Sequence, residues 1–252
     1  MNIWPDDVKT LAIDIGGTSF KAAILDPKGE MLTEQIRIET PYPCFPDVFI
    51  STLKDLVAQL PPAHRITVGF PSLVRNGVIA GIPGSLSRRV MNGERDQELI
   101  DAWLGFPILT AITDAFELPT KVENDADVQG CAVVAGSGLE FVVTFGTGVG
   151  TALFWNGQLV PHLELSPGPF NSEMTHDIAL GDGELKKIGE EAWKERVHLG
   201  LAQFKAIVNW DQLYVGGGNA RLLTQSDIGD HAQLVSNANG LLGGIRIWDL
   251  HE

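Results

Sequence analysis

Cysteine is nearly absent: Cys44 and Cys131 are the only two in 252 residues. Two such distant thiols build neither a disulfide framework nor a metal cluster, so no structural zinc is expected. A reduced, cytoplasmic setting is the default for such a chain. Long apolar runs are missing as well. No uninterrupted stretch reaches the length of a bilayer span, and no membrane partner is expected. The opening MNIWPDDVKT lacks a basic segment followed by an apolar one and does not read as a secretory signal. Basic residues are outnumbered, 18 Lys and Arg against 32 Asp and Glu, for a net charge of −14. That deficit speaks against nucleic acid and anionic surfaces as partners. Arg88-Arg89 and Lys186-Lys187 are only pairs, which a solvated surface explains better than a binding groove. Neither GxxxxGK followed by Ser or Thr, nor GxGxxG after a strand, occurs, so the P-loop and Rossmann readings lack their fingerprints.

What is present is a pair of glycine turns. Residues 11–26 read LAIDIGGTSFKAAILD. Leu11, Ile13 and Ile15 alternate with small or polar residues, Gly16-Gly17-Thr18 interrupt, and an apolar run from Ala22 follows. The glycines let backbone N–H groups approach an anion without a Cβ in the way. Thr18 adds a hydroxyl donor, and Asp14 can hold a hydrated Mg²⁺ beside that anion. Lys21, on the following strand, joins the same phosphate-binding set. Residues 141–157, FVVTFGTGVGTALFWNG, repeat the pattern. Thr144 falls where Asp14 falls, Gly146 where Gly16 falls, Ala152 where Ala22 falls and Asn156 where Asp26 falls. Such a match points to a duplicated fold with a phosphate chain gripped from both halves. Two ordinary glycine-rich hairpins are the alternative.

With 44% apolar residues the chain can bury a substantial core in one large or two smaller domains. Alternating periods predict a third strand over 31–38 and a helix over 48–60 capped by Asp47. A buried strand over 65–70, a hairpin at Asn76-Gly77 and helices over 93–103 and 107–118 follow. A short strand over 121–123 then meets a helix over 126–135. Further on come a loop over 162–180, one long helix over 183–208, a strand over 211–215 and a terminal helix over 239–248. Strands alternating with helices give an α/β class. The halves are drawn at 1–119 and 120–252, with the terminal helix able to pack back on the first. Residues 80–92 read as a loop lining the cleft or as plain surface. The Gly243-Gly244 patch serves helix packing or a dimer contact.

Phosphoryl transfer needs an in-line nucleophile, a metal, donors around the phosphates and a base near the nucleophile. Asp125 is the best base, at a strand end that opens a helix, where open α/β sheets place ligands. Asn124 beside it can fix a polyol. A plain Asn-Asp helix cap is the competing reading.

Four motifs occur in order: Asp14-Ile15-Gly16-Gly17-Thr18, Glu123-Asn124-Asp125-Ala126-Asp127, Thr144-Phe145-Gly146-Thr147-Gly148-Val149-Gly150 and Tyr214-Val215-Gly216-Gly217-Gly218-Asn219. Together they resemble the ROK family of sugar kinases, closest to its polyphosphate-glucokinase-like branch. The resemblance covers nearly the whole chain. It implies the actin-like, RNase H-type two-lobe fold, with ATP or polyphosphate as phosphoryl donor and Mg²⁺ as cofactor. It implies that residues 14–18 and Thr144, Gly146, Thr147 and Gly148 cradle the donor phosphates, and that Gly217 and Gly218 flank an adenosine. It implies that Asp125 deprotonates the 6-hydroxyl of glucose or a similar hexose, which Asn124 and Glu164 hold. A homodimer is the family habit. The family's repressors carry a helix-turn-helix ahead of the first hairpin, and none is expected here.

The chain departs from the family pattern on the acceptor side. The family's Glu is followed shortly by a His, whereas Leu165-Ser166-Pro167-Gly168 follow Glu164. His162 and His176 read as surface residues that can move in. No Asn stands between Gly81 and Asn92, where the family places one. Basic residues expected of the branch after Pro169-Phe170 are replaced by Asn171-Ser172-Glu173-Met174. Each lost sugar contact is worth about 1–3 kcal/mol. The alternative function is therefore an impaired relative that binds a sugar or nucleotide without turnover.

Overall fold

The computed structural model describes residues 4–235, 241 and 243–249. Its chain contacts divide into two units, Met1–Ala132 with Gly240–Glu252, and Val133–Asn239. The division thus falls after Ala132, beyond the strand and helix that follow Pro119.

In the first unit a sheet is built from β1 (Thr10–Ile15), β2 (Ser19–Leu25) and β3 (Ile36–Glu39), then β4 (Arg65–Phe70) and, beyond the hairpin β5 (Val74–Arg75) and β6 (Val78–Ile79), β7 (Thr120–Asn124). The sheet order is β3-β2-β1-β4-β7. β1 runs antiparallel to β2 but parallel to β4, and β4 parallel to β7. Helices α1 (Pro46–Val57), α2 (Gln97–Trp103), α3 (Ile108–Phe116) and α4 (Asp125–Cys131) complete the segment. Leu11, Ile13 and Ile15 pack with Phe49, Phe70 and Trp103 in an aromatic-centred core. The opposite face carries small residues, and Ala12 and Ala23 pack with Leu241 and Ile245. Covered on both faces, β4 is buried at every position, as parallel strands are.

The terminal helix α9 (Gly243–Asp249) packs on β1, β4 and α4. A Cβ on Gly244 would lie 3.2 Å from Ala12 and 3.3 Å from Thr67, and one on Gly243 would overlap the Val128 carbonyl. The two glycines therefore serve helix packing within the unit. Trp248 donates its indole N–H to Thr67 Oγ1 at 2.8 Å and lies under the charged heads of Arg65 and Lys121, each 4.9 Å from its ring. The buried Arg65 guanidinium is thus stacked on Trp248 and, at 5.2 Å, on Trp4.

The second unit repeats the plan. β8 (Leu139–Phe145), β9 (Val149–Trp155), β10 (Gln158–Leu159), β11 (Gln212–Gly216) and β12 (Ala232–Leu234) form a sheet ordered β10-β9-β8-β11-β12. β8 is antiparallel to β9 and parallel to β11, the same pattern as in the first unit. Helices α5 (His176–Leu180), α6 (Asp182–Ile188), α7 (Glu190–Val208) and α8 (Gln225–Ile228) follow the same chain order. Trp193, Val197, Leu201 and Phe204 form the buried stripe of α7.

Several boundaries differ from the sequence expectation. The third strand shrinks to Ile36–Glu39, with Met31 held only by a bridge to Leu25. α1 starts at Pro46, so Asp47 lies in its first turn and is not its cap. α2 starts at Gln97, capped by Asp96, whose side chain accepts from Leu99 N. The helix expected over 183–208 is two helices, parted at Gly189 with φ 82°. The loop over 162–180 ends in α5, capped by Thr175. Residues 80–92 are not plain surface, because Leu86 and Ser87 are fully buried. Of the terminal helix expected over 239–248, residues 239, 240 and 242 lie outside the described set.

Candidate active site

In the first unit β1, β4 and β7 are parallel, so their carboxyl ends share one edge of the sheet. Asp14 is level with Gly69, and Gly69 with Glu123, two residues before Asp125. Two interstrand spacings put Asp14 and Glu123 about 10 Å apart, with Asp125 two residues further towards the carboxyl edge. Gly69 lies against Asp125: a Cβ there would sit in ordinary contact, 3.4 Å from the Asp125 Cα.

The first elbow is Gly16-Gly17-Thr18, closed by Gly16 N donating to Ser19 O at 3.1 Å. Thr40 Oγ1 donates to Gly16 O and Tyr42 OH to Gly17 O, each at 2.6 Å, and Thr40 N donates to Thr18 O at 3.1 Å. A trans peptide points its N–H opposite its C=O. Tying down the Gly16 and Gly17 carbonyls therefore turns the N–H groups of Gly17 and Thr18 to the other side. Gly17 must lack a side chain, because a Cβ would come within 2.9 Å of Ser85 Cβ. Burial first, then Cys44, pushes the Tyr42 phenol up, which keeps it a hydrogen-bond donor. Burial and Asp47 push the Cys44 thiol up to about 12, leaving it inert at neutral pH. Thr40, Tyr42 and Ser85 were not anticipated, since nothing in their local sequence ties them to a turn so far away.

Lys21 pairs with Asp14 Oδ2 at 2.9 Å across the β1–β2 ladder. Asn124 caps α4: its Oδ1 accepts from Ala126 N at 2.8 Å, and its Nδ2 donates to Ser72 O at 3.3 Å. Asn124 is buried, so its visible work is to fix the start of α4. Asp125, the first residue of that helix, is partly exposed and accepts from Ala126 N at 3.0 Å.

The second elbow is one residue tighter than the first. Gly146 N donates to Gly148 O at 2.9 Å, and Phe145 pairs directly with Val149. Asp14 faces Lys21, whereas Thr144 faces Gly150. The expected match of Ala152 to Ala22 is thereby shifted by one: Ala22 pairs with Ile13, but Ala152 with Val142. Thr147 is exposed at the tip. Gly217, at φ 90°, runs so close to β8 that a Cβ would overlap the Phe145 backbone. Only glycine combines that φ with that approach. Gly218 opens a 3₁₀ turn, Gly218–Leu222, from which the buried Asn219 donates to Gly146 O at 3.1 Å. Asp182 N donates to the same carbonyl at 2.9 Å.

Glu164 stands in the loop after β10. Its Oε1 accepts from Ser166 Oγ at 2.8 Å, and its Oε2 lies 3.5 Å from His162 Nε2. Burial pushes its carboxyl up, but the His162 imidazole beside it and the Ser166 hydroxyl outweigh burial and hold it below its ordinary value. Asp177 joins this loop to the second elbow. Its N donates to Ser166 O at 2.9 Å, and its Oδ1 accepts from Val149 N at 3.0 Å. Asp177 was missed because the tract around it reads as loop. Both histidines expected at the surface are buried. His176 uses both ring nitrogens, towards Gly168 O and Gln203 Oε1, and stacks on Phe204.

One sheet order repeated in two units, each opened by a glycine elbow, defines the actin-like ATPase fold. Within that class the chain belongs to the ROK family, whose profile matches residues 10–163. It is 29% identical over 220 residues to a polyphosphate glucokinase of Mycobacterium leprae, covering 83% of this chain and 63% of that protein. The chain thus spans less than two thirds of that relative's length. An N-acetylmannosamine kinase of Escherichia coli is 26% identical over 227 residues, covering 88% of this chain and 70% of that protein. Among solved structures, an inorganic polyphosphate/ATP-glucomannokinase of Arthrobacter sp. strain KM superposes with a TM-score of 0.80 at 24% identity, covering 98% of this chain and 100% of that one.

Proposed function

We propose that the chain is a sugar kinase that moves a phosphoryl group from ATP or polyphosphate to the 6-hydroxyl of glucose or a similar hexose. The observation that carries this reading is the shared sheet edge of the first unit, with an elbow of outward N–H groups beside Asp14 and Asp125 further along. In the proposal the Gly16-Gly17-Thr18 elbow and Lys21 bind donor phosphate. In the second unit the proposed phosphate-binding residues are Thr144, Gly146, Thr147 and Gly148, and Gly217 and Gly218 flank an adenosine where ATP is the donor. Asp125 accepts the hydroxyl proton as oxygen attacks phosphorus, the base role that positioned carboxylates fill. Glu164 accepts from sugar hydroxyls, and Asn124 orients Asp125 by fixing the helix start.

Asp14 fits a hydrated Mg²⁺. It is a single carboxylate with Oδ2 on Lys21 and Oδ1 without a partner among the described residues. That ion takes one or two protein carboxylates and leaves its other positions to water and phosphate. Bound there, Mg²⁺ would draw charge from the phosphate oxygens.

A coupled assay of glucose, mannose and N-acetylmannosamine, each with ATP and with polyphosphate, tests the reading. Turnover of at least one hexose with one donor is expected. Sugar binding without turnover with either donor would replace the kinase with the non-catalytic alternative.

A further inference from the structure

We propose that His162 is a positioning residue for sugar recognition: with Ser166 it holds both oxygens of the Glu164 carboxylate in a fixed orientation. The inference rests on Glu164 being the sugar-binding carboxylate. The His162 side chain is only 3% exposed, while that of Glu164 is 35% exposed. The imidazole therefore does not reach a ligand itself but acts through the carboxylate that does. Ser166 Oγ holds Oε1 at 2.8 Å, and His162 Nε2 faces Oε2 at 3.5 Å. The loop is pinned on both sides of Glu164. Thr151 Oγ1 donates to Leu163 O at 3.0 Å, and Asp177 N donates to Ser166 O at 2.9 Å. An acceptor held this way loses little freedom on binding, which is how preorganisation raises affinity. His162 reaches Glu164 from the preceding side of the loop, while Pro167 and Gly168, on the following side, carry no side-chain donor.

The test compares wild type with His162→Ala, His162→Gln and Ser166→Ala. A rise of about tenfold in the glucose KM is expected for His162→Ala, the size of one close polar contact to a charged group. kcat and the ATP KM should stay within twofold, and His162→Gln, which keeps an N–H donor, should recover part of the loss. A second readout needs no turnover: carboxyl ¹³C NMR of Glu164. Its titration midpoint should rise in His162→Ala, because a donor to the ionised form has been removed. A midpoint that stays at the wild-type value overturns the proposal, whether or not the wild type is a kinase. So does an unchanged glucose KM in an active His162→Ala enzyme. A silent wild type whose Glu164 midpoint does shift would remove the kinase reading and leave the positioning role standing.

Discussion

Asp125→Asn is expected to lower kcat for sugar phosphorylation by about 10²–10⁴-fold, the usual contribution of a positioned general base. Asparagine has the shape of aspartate and keeps an oxygen to accept from Ala126 N, the 3.0 Å contact that Asp125 makes at the start of α4. The variant should therefore fold normally and bind sugar and donor with affinities close to wild type. What it lacks is a group able to take the hydroxyl proton. A drop in kcat with unchanged thermal midpoint and sugar KM is the expected signature. A variant that retains wild-type kcat would take Asp125 out of the reaction.

Glu140→Ala is expected to cost about 2–4 kcal/mol, since a hydrogen bond to a charged group is worth about 1.5–3 kcal/mol and this variant loses several that water regains only in part. Glu140 is fully buried on β8. Its carboxylate accepts from Ala135 N at 2.6 Å, Gly136 N at 2.9 Å, Ser137 N at 3.2 Å and Tyr214 OH at 2.9 Å. Alanine would leave the Gly136 and Ser137 N–H groups and the buried Tyr214 phenol short of an acceptor, while Ala135 N keeps the Tyr214 hydroxyl at 3.1 Å, and a buried donor that loses its partner carries its desolvation penalty. Against a total stability of about 5–15 kcal/mol, that loss is large. Urea unfolding should show it as a lower midpoint at constant slope. Glu140→Gln, with one acceptor oxygen in place of two, should fall between. A midpoint within error of wild type for the alanine variant would mean that water satisfies the freed donors.

The two variants probe opposite ends of what a sequence discloses. The strand-turn-strand units around Gly16 and Gly146 were legible because period-two alternation and glycine placement are local. So was the strand-to-helix step at Asn124-Asp125. Register was not legible. The glycine spacing of the two elbows agrees, yet the second is a residue tighter, because turn closure depends on backbone pairing that side chains do not encode. Helix breaks were lost the same way: the apolar stripe runs through Gly189, while the break is a backbone conformation at one residue. Nothing local marks Glu140 for burial; Tyr214, far along the chain, closes over it. His162 and His176 read as surface because histidine is polar, and only tertiary contacts reveal that their rings are enclosed. Thr40, Tyr42 and Asp177 share that cause. Each acts on an elbow distant in sequence, and a single chain carries no sign of which loop will meet which turn.

The most direct test is phosphorus NMR of the product formed by the wild-type protein with Mg²⁺, glucose and ATP or polyphosphate. The account predicts a new phosphomonoester signal coupled to the two protons on carbon 6 of glucose. A spectrum in which donor is consumed to inorganic phosphate alone, or in which the phosphate sits on another carbon, would contradict it.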